Sequence, residues 1–401
     1  MITIAKRIEN LGTETAFAVA GEAKAHGAKG NTIYPFHLGD LNFRTPENII
    51  EAAHRAMLDG KTGYCPNAGI PELREALAED VGRSHGLELT ADNVVVQPGG
   101  KPTIGKFIQT LMEPGSEVLY PNPGYPIYES QIEYHGGIAI PYGFVEGEEN
   151  FQIDLERIRS SITSRTRILV LNDLQNPTGS ECSREDLEAL AELAIENDLL
   201  VLSDEAYYDM RYSGKTVSIA SLPGMAERTV VLYTFSKKYA MTGWRVGASI
   251  GPKSIVEVIA RLNTNDESNT THFIQWACLE ALRGDQSGPQ RIVEVLRERR
   301  DLLHEQLSAI EGIRCYRPEA SFYLYPNVTE VIRRGGFNGY EDFRKRVLEE
   351  TGVSFCTRLH FGRPLEEEKE YYIRLAFSGI DHDQIEAGMS RLRDYLEGSL
   401  G

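Results

Sequence analysis

Short apolar runs recur along most of the chain, and amphipathic stretches separate them. The runs are rich in Val, Ile and Leu, which is typical of parallel strands that are buried on both faces. The stretches between them, such as 184–197, repeat apolar residues at helical spacing. From about residue 46 to 285, this alternation predicts an α/β domain whose mainly parallel sheet is covered by helices. The strands predicted from these runs are 93–97, 117–120, 167–172, 199–203, 229–235 and 245–250.

The pattern changes after residue 285. The charged segment 290–310 repeats apolar residues at helical spacing, which predicts one long helix that joins two domains. Beyond it, strand-like runs alternate with further helices, which predicts a smaller α+β domain. A chain of 401 residues is too long for one ordinary core. We therefore predict three parts: an N-terminal arm over 1–45, a large domain over 46–285 and a small domain over 286–401.

Segment 236–245 follows directly on the predicted strand 229–235 and carries two side chains that suit one cofactor. Lys237, among small and aromatic residues, is poorly solvated, which lowers its pKa and helps it attack a carbonyl. Arg245 has a planar fork that suits a phosphate. A carbonyl-reactive lysine beside a phosphate-binding arginine suggests pyridoxal 5'-phosphate. The alternative is a surface lysine pair and a structural arginine.

Two other predicted strands end in residues that this cofactor needs. Asp204 follows strand 199–203, where it can face the pyridine nitrogen, and Tyr207 can donate a hydrogen bond to the phenolate oxygen of the ring. Asn176, after strand 167–172, can reach the same oxygen from the other side. Each residue alone is more often part of a turn or a helix cap. In this order, each after an apolar strand, they strengthen the prediction of the cofactor.

Six separated motifs occur in the order typical of the aspartate aminotransferase family, which the chain resembles over nearly its whole length. This family comprises the class I/II pyridoxal-phosphate-dependent aminotransferases of fold type I. The resemblance implies a large domain with a seven-stranded, mainly parallel sheet and a smaller α+β domain that includes part of the N-terminal arm. The motifs are Tyr64 with 69–75, then NPTG at 176–179, DEAY at 204–207, Ser236-Lys237, GWR at 243–245 and YIRL at 372–375.

The same resemblance assigns roles around the cofactor. It implies that Lys237 carries the cofactor and acts as base, that Lys238 is at a variable position, and that Tyr125 stacks on the ring. Tyr64 is matched to a tyrosine that reaches the cofactor phosphate of the neighbouring subunit, which implies a homodimer with shared active sites. The other residues matched to the phosphate are Gly100, Lys101, Thr234 and Arg245.

On the substrate side, Arg374 is the arginine of a predicted apolar strand, and a buried charge needs a partner. The resemblance implies that Arg374 holds the α-carboxylate of the substrate, with Gly39 and Asn176 beside it. A structural salt bridge is the alternative.

The side-chain pocket is less defined by the sequence. Arg358 and His360 stand where the family is usually small and glycine-rich. They either point into the substrate pocket and favour acidic or polar substrates, or belong to a solvated loop. Lys101 is at the position where some aspartate aminotransferases of this subgroup bind the distal carboxylate, which favours acidic substrates.

Composition narrows the class of protein further. A net charge of −17 argues against nucleic-acid or acidic-membrane partners. The five cysteines have neither disulfide nor zinc spacing, and the N-terminus lacks the apolar core of a signal peptide. We therefore expect a cytoplasmic protein without a metal site.

The function implied by the resemblance is transfer of an amino group between an L-amino acid and a 2-oxo acid, in amino acid metabolism and biosynthesis. Two alternatives stay open on the sequence. One is a same-fold enzyme that catalyses elimination, decarboxylation or cyclisation of an amino acid. The other is a regulatory or binding protein, against which the intact Lys237 argues. The sequence names neither the substrates nor the pathway.

Overall fold

The computed structural model describes residues 2–12 and 14–400, apart from the side chain of Leu400. Within these residues it contains thirteen α-helices and fourteen strands. The helices are α1 (Ala16–Gly27), α2 (Glu47–Leu58), α3 (Pro71–His85), α4 (Lys101–Leu111), α5 (Ile127–Tyr134), α6 (Leu155–Ser161), α7 (Arg184–Glu196), α8 (Lys253–Asn265), α9 (His272–Arg283), α10 (Ser287–Ser308), α11 (Thr329–Arg334), α12 (Gly339–Thr351) and α13 (His382–Leu400). The strands are β1 (Tyr34–Pro35), β2 (Val94–Gln97), β3 (Glu117–Pro121), β4 (Ile138–Tyr142), β5 (Phe144–Glu146), β6 (Phe151–Ile153), β7 (Thr166–Leu171), β8 (Leu200–Asp204), β9 (Thr229–Thr234), β10 (Gly247–Ile250), β11 (Tyr323–Leu324), β12 (Val353–Ser354), β13 (Cys356–Thr357) and β14 (Ile373–Ala376).

Seven strands form the central sheet, in the order β2-β10-β9-β8-β7-β3-β4. All neighbours are parallel except β10, which runs antiparallel to both β2 and β9. Helices α4, α5 and α8 pack on one face, while α2, α3, α7 and α9 pack on the other. The strands are apolar on both faces because both faces are covered. The predicted α/β fold with a mainly parallel seven-stranded sheet is confirmed.

The carboxyl ends of the parallel strands meet at one edge of this sheet. Because β10 is antiparallel, its first residue lies at the same edge, where Gly247 pairs with both Thr234 and Gln97. The segments that leave this edge therefore converge, as is usual for ligand sites of open α/β sheets.

A second group of elements packs around a separate hydrophobic cluster. Strands β11, β14 and β13 form an antiparallel sheet, and β1 pairs in parallel with β12. Most of the cluster comes from residues 292–396, and Tyr34 and Phe36 join it from the N-terminal part of the chain. This distribution agrees with a small domain that includes part of the arm, and the boundaries at 45 and 285 stay a prediction.

Two predicted boundaries shift for local reasons. Strand β10 begins two residues later than expected, because Arg245 adopts a left-handed backbone conformation, with φ at 57°, at the end of the short helix Thr242–Trp244. The long charged helix begins at Ser287, three residues earlier than expected. Among the residues described, the structure has no helix that is both long enough and apolar enough to span a membrane.

Candidate active site

A cavity of about 570 Å³ opens at the carboxyl edge of the central sheet. It is bounded by the ends of β8 and β9, the start of α4, the N-terminal arm and residues of the second cluster. Eleven of the residues predicted from sequence line it: Gly39, Gly100, Lys101, Tyr125, Asn176, Asp204, Tyr207, Thr234, Lys237, Arg245 and Arg374.

Lys237 lines this cavity just beyond the end of β9. Its Nζ donates a hydrogen bond to the carbonyl oxygen of Gly39 at 2.8 Å and lies 5.5 Å from the centre of the Phe322 ring. Burial lowers the pKa of this amine to about 8, while Asp40 opposes the shift and Arg374 adds to it. An appreciable fraction of the amine is therefore neutral near physiological pH, and the neutral form is the nucleophile and base.

The neighbouring Lys238 has the opposite electrostatic environment. Its Nζ lies 3.1 Å from a carboxylate oxygen of Asp209. Although burial works against it, Asp209 raises the pKa of Lys238 above its usual value. Lys238 is also outside the lining of the cavity. Of the two lysines, only Lys237 combines access to the cavity with a lowered pKa.

Asp204 ends β8 with its side chain buried in the cavity wall. The hydroxyl of Tyr128 donates to its Oδ2 at 2.5 Å, and the backbone N–H of Ala206 donates to Oδ1 at 3.2 Å. Burial raises the pKa of Asp204 to about 6, and these hydrogen bonds limit the rise. The carboxylate is thus fixed in position, ionised at neutral pH and still able to accept a further hydrogen bond.

Tyr207 and Asn176 also lie on the wall. The hydroxyl of Tyr207 is 2.7 Å from that of Tyr323, and burial raises the pKa of Tyr207, so the hydroxyl stays protonated. The backbone N–H of Asn176 donates to Oδ1 of Asn172 at 3.1 Å, and its side-chain oxygen accepts from Arg374 at 3.0 Å. Among the residues described, the side-chain nitrogen of Asn176 has no hydrogen-bond partner and is left as a donor.

One end of the cavity suits a phosphate. Helix α4 begins there directly after Gly100, and the N–H groups of a first helical turn lack partners within the helix. Gly99 has a φ of 102°, and a side chain at this position would collide with the guanidinium of Arg245. Arg245 donates to the carbonyl oxygen of Thr242 at 2.9 Å and has no carboxylate within ion-pairing distance in the described ranges. Its charge is therefore available to an anion.

Arg374 lies on β14 at another part of the wall and is 4% exposed. It donates to the side-chain oxygen of Asn176 and, at 2.7 Å, to the carbonyl oxygen of His37, while its Nε has no partner. The aromatic rings of Tyr323 and Phe361 lie 4.6 and 4.7 Å from its guanidinium carbon. No described carboxylate pairs with it, so the structural salt bridge considered from sequence is not found. A buried guanidinium with neutral neighbours is suited to a carboxylate ligand.

Gly39 contributes through its backbone. The hydroxyl of Tyr323 occupies the space that a Cβ at position 39 would need. A glycine there allows the chain to approach Tyr323 closely while its carbonyl oxygen holds the amine of Lys237.

The structure corrects the substrate-binding interpretation of Arg358. Its side chain is 1% exposed, does not line the cavity and forms two hydrogen bonds with Glu368, at 2.8 and 2.6 Å. Nη2 also donates to Oδ1 of Asn122 at 2.7 Å. The residue is not a solvated loop side chain, and its charge is paired with that of the partly exposed Glu368 outside the cavity lining.

His360 lines the cavity, in agreement with the alternative that it points into the pocket and not with the alternative of a solvated loop. Its Nδ1 accepts the backbone N–H of Thr357 at 3.1 Å, and burial lowers the pKa of the ring. The imidazole is therefore neutral at physiological pH and brings no positive charge to the pocket. Tyr64 lies outside the cavity lining and is 91% exposed.

Tyr128, Tyr323 and Glu14 also line the cavity, although the sequence did not identify them as candidates. Tyr128 holds Asp204, Tyr323 contacts both Tyr207 and Arg374, and Glu14 of the N-terminal arm accepts a hydrogen bond from Tyr125. None belongs to a motif in this sequence, and their proximity follows from packing between distant segments. The spacing of Tyr128, three residues after Tyr125, was the one sequence feature that could have identified it.

Comparison with known proteins decides the family. The family described as "Aminotransferase class I and II" matches residues 32–392. This chain belongs to that family. The aspartate aminotransferase of Bacillus subtilis is 33% identical over 398 residues, which cover 98% of this chain and 99% of the relative.

Solved structures agree with this assignment. An aspartate aminotransferase from Thermus thermophilus with maleate superposes with a TM-score of 0.90 at 33% identity, covering 98% of this chain and 100% of that chain. An alanine aminotransferase from Pyrococcus furiosus gives a TM-score of 0.90 at 29% identity, covering 99% and 100%. The protein is a pyridoxal-phosphate-dependent aminotransferase of fold type I, as predicted. Transamination is thus favoured over the other reactions and the regulatory role considered from sequence.

The residues present fit this cofactor. The cavity contains an amine of lowered pKa, a buried carboxylate and protonated hydroxyls. At one end, helix N–H groups and an arginine without a carboxylate partner among the described residues are suited to bind a phosphate. The described residues contain no cluster of side chains that could hold a metal ion.

Proposed function

We propose that this aminotransferase transfers the amino group between an acidic L-amino acid and a 2-oxo acid, with Lys237, Asp204 and Arg374 as the principal active-site residues. One observation carries the proposal. A single cavity holds a buried amine with a pKa of about 8, a buried carboxylate and two arginines that lack an acidic partner among the residues described. These are the charges needed to bind an amino acid beside a phosphorylated cofactor.

The residues that would hold the cofactor divide between its phosphate and its ring. On the ring, Asp204 would face the nitrogen, Tyr125 would stack, and Asn176 and Tyr207 would donate to the phenolate oxygen. When bound, pyridoxal phosphate supplies the electron sink that makes the Cα proton of an amino acid acidic. The groups assigned to the phosphate are the backbone N–H groups of Gly100 and Lys101, the hydroxyl of Thr234 and the guanidinium of Arg245.

We assign the proton transfer to Nζ of Lys237. A base must be neutral to accept a proton, and a pKa of about 8 leaves a usable neutral fraction near pH 7 to 8. The same group can return the proton later because its pKa is close to the working pH. Its hydrogen bond to the carbonyl oxygen of Gly39 restricts where the amine lies.

The α-carboxylate of the substrate is assigned to Arg374. We expect Arg374→Ala to raise KM for every amino acid substrate by about 10- to 100-fold, because a charge-assisted pair of hydrogen bonds is lost. Steady-state kinetics with at least two amino acids of different side chain would measure the change. An increase confined to one side-chain class would contradict the assignment.

Arg358→Gln is the matched control for this experiment. It removes a second buried arginine from the same part of the chain, but one that is paired with Glu368. We expect this variant to unfold at a lower temperature while its KM is unchanged. A raised KM in Arg358→Gln would restore Arg358 to the substrate pocket.

Two observations support an acidic substrate. Lys101 and Arg374 line the same cavity, so the two cations can be assigned to the two carboxylates of one ligand. Relatives named aspartate aminotransferase match nearly the full chain, and the structure from Thermus thermophilus was solved with the dicarboxylate maleate. The alanine aminotransferase with the same fold shows that the fold alone does not select the side chain.

A half-reaction panel tests the proposed reaction and substrate. The holoenzyme is mixed with single amino acids, and conversion of the cofactor absorbance to that of the aminated form is followed. We expect conversion with aspartate and glutamate to be faster than with alanine or phenylalanine. Faster conversion with the uncharged amino acids would overturn the acidic preference.

We also propose a homodimer in which Tyr64 completes the site of the partner subunit. A tyrosine that is 91% exposed and outside its own cavity is available for such a contact. Because a two-fold dimer is reciprocal, each subunit would complete the other. The five unpaired cysteines agree with a reducing compartment, and we propose a cytoplasmic enzyme of amino acid biosynthesis.

Tyr64→Phe should weaken cofactor binding by about 1.5 to 3 kcal/mol, the value of a hydrogen bond to a charged group, without unfolding the protein. Cofactor titration of purified apoenzyme measures the loss. Hybrid dimers of Tyr64→Phe with Lys237→Ala subunits should recover one site of wild-type affinity, since one site then has both native residues. If such hybrids keep the weakened affinity, the shared site is wrong.

A further inference from the structure

Glu14 of the N-terminal arm lines the cavity, but the proposed mechanism assigns no role to it. It lies just before α1, and together with Ala16 and Phe17 it brings the arm to the mouth of the cavity. Its side chain is 21% exposed, although most of the arm before it is on the surface. A carboxylate is therefore held at the entrance to the cavity to which the proposed function assigns the carboxylates of the substrate.

The partners of Glu14 are both donors that face the cavity. Its Oε1 accepts a hydrogen bond from the hydroxyl of Tyr125 at 2.6 Å and pairs with the ammonium group of Lys101. The ammonium group also lies 5.7 Å from the centre of the Tyr125 ring. Burial raises the pKa of Tyr125, and Glu14 raises it further, so the hydroxyl remains a donor.

One of these two donors, the ammonium group of Lys101, is the one that the proposed function assigns to an acidic substrate. Lys101 is the candidate partner of the distal carboxylate, and Glu14 already satisfies it. A second carboxylate at the same ammonium group would be repelled by the first, because like charges in a partly desolvated site are destabilising. Glu14 and the distal carboxylate of a substrate are thus alternative ligands of one cation.

We propose that Glu14 is an internal substitute for the distal carboxylate of acidic substrates and sets the side-chain specificity of the cavity. An acidic substrate displaces Glu14 from Lys101 and Tyr125. When the bound amino acid has an uncharged side chain, Glu14 stays paired with the half-exposed Lys101, so the ammonium group keeps a partner of opposite charge. The cavity can then accept both classes of substrate. This inference rests on the proposed binding of acidic substrates.

Equilibrium binding to the holoenzyme tests the proposal without turnover. Maleate serves as the dicarboxylate probe and 3-phenylpropionate as the monocarboxylate probe, and calorimetry gives the ratio of their affinities. In Glu14→Gln we expect this ratio to shift toward maleate by about ten-fold or more, because a charged competitor for Lys101 is removed.

Glu9→Gln is the matched control. Glu9 is an exposed carboxylate on the same arm, outside the cavity lining, and its substitution changes the net charge equally. We expect the ratio of the control to equal that of the wild type. If Glu14→Gln also keeps the wild-type ratio, the proposal is overturned.

Glu14→Gln in a Lys101→Met background distinguishes competition for Lys101 from long-range repulsion between Glu14 and the bound ligand. We expect weak maleate binding there and a smaller effect of Glu14→Gln, because only repulsion remains to be relieved. Equal effects in both backgrounds would show that Glu14 does not compete for Lys101. The half-reaction panel remains an independent measure of transamination, so failure here leaves the proposed reaction testable by itself.

Discussion

Lys237→Ala is expected to abolish turnover, with a loss of at least about 10⁴-fold in kcat, because the variant lacks both the amine that attaches the cofactor and the base. Reduction of the holoenzyme with borohydride followed by peptide mass spectrometry gives a second readout. The cofactor should be found on the peptide that contains Lys237 in the wild type and should be absent from every peptide of the variant.

Lys238→Ala is the control for this experiment, since it removes the adjacent lysine. Lys238 pairs with Asp209 and has a raised pKa, so its ammonium group stays protonated and unreactive. We expect Lys238→Ala to keep both covalent attachment and turnover. A cofactor adduct on Lys238 in the wild-type protein would reverse the assignment.

Asp204→Asn is expected to keep the cofactor bound but to slow removal of the Cα proton by about a hundred- to a thousand-fold. A fixed charge that stabilises the developing charge of a reaction typically contributes this much. The amide has nearly the same shape, so its oxygen can still accept the hydrogen bond that Tyr128 donates while the negative charge is lost. Single-turnover kinetics with Cα-deuterated substrate would measure the step directly.

Asp209→Asn provides the same chemical change outside the active site. Asp209 lies on the segment that follows β8, but its carboxylate pairs with Lys238 and does not line the cavity. We expect single-turnover rates close to those of the wild type. Near-normal rates in Asp204→Asn would remove Asp204 from the proposed role, whatever the control shows.

The fold followed from the sequence because its pattern is local. A strand that is covered on both faces must be apolar along its length, and the helices that cover it must repeat apolar residues at helical spacing. Strands β7, β8 and β9 were therefore predicted within a few residues. The first and last residues of the strands were predicted less accurately. Strand β10, for example, begins after Arg245, and the left-handed backbone conformation of that residue cannot be inferred from the amino-acid composition.

That the residues proposed for the cofactor lie together could be predicted for a related reason. Asp204, Asn176 and Lys237 each follow an apolar strand, and parallel strands bring their carboxyl ends to one edge. A short motif after a strand therefore indicates a position in space. The sequence selected these side chains, although it did not give their pKa values, because burial and neighbouring charges depend on the folded chain.

The substrate side was decided by tertiary structure. Arg358 and Arg374 are both single arginines near short strands, and only the folded chain shows that Glu368 neutralises the first and no described carboxylate neutralises the second. Glu14 is far in sequence from Lys101 and Tyr125, and no motif contains it. The sequence by itself determined the sheet, the family and the residues at the strand ends, because these depend on local pattern and chain order. Which charges are paired and which remain free to bind a substrate depends on distances between remote segments, and only the tertiary structure sets those distances.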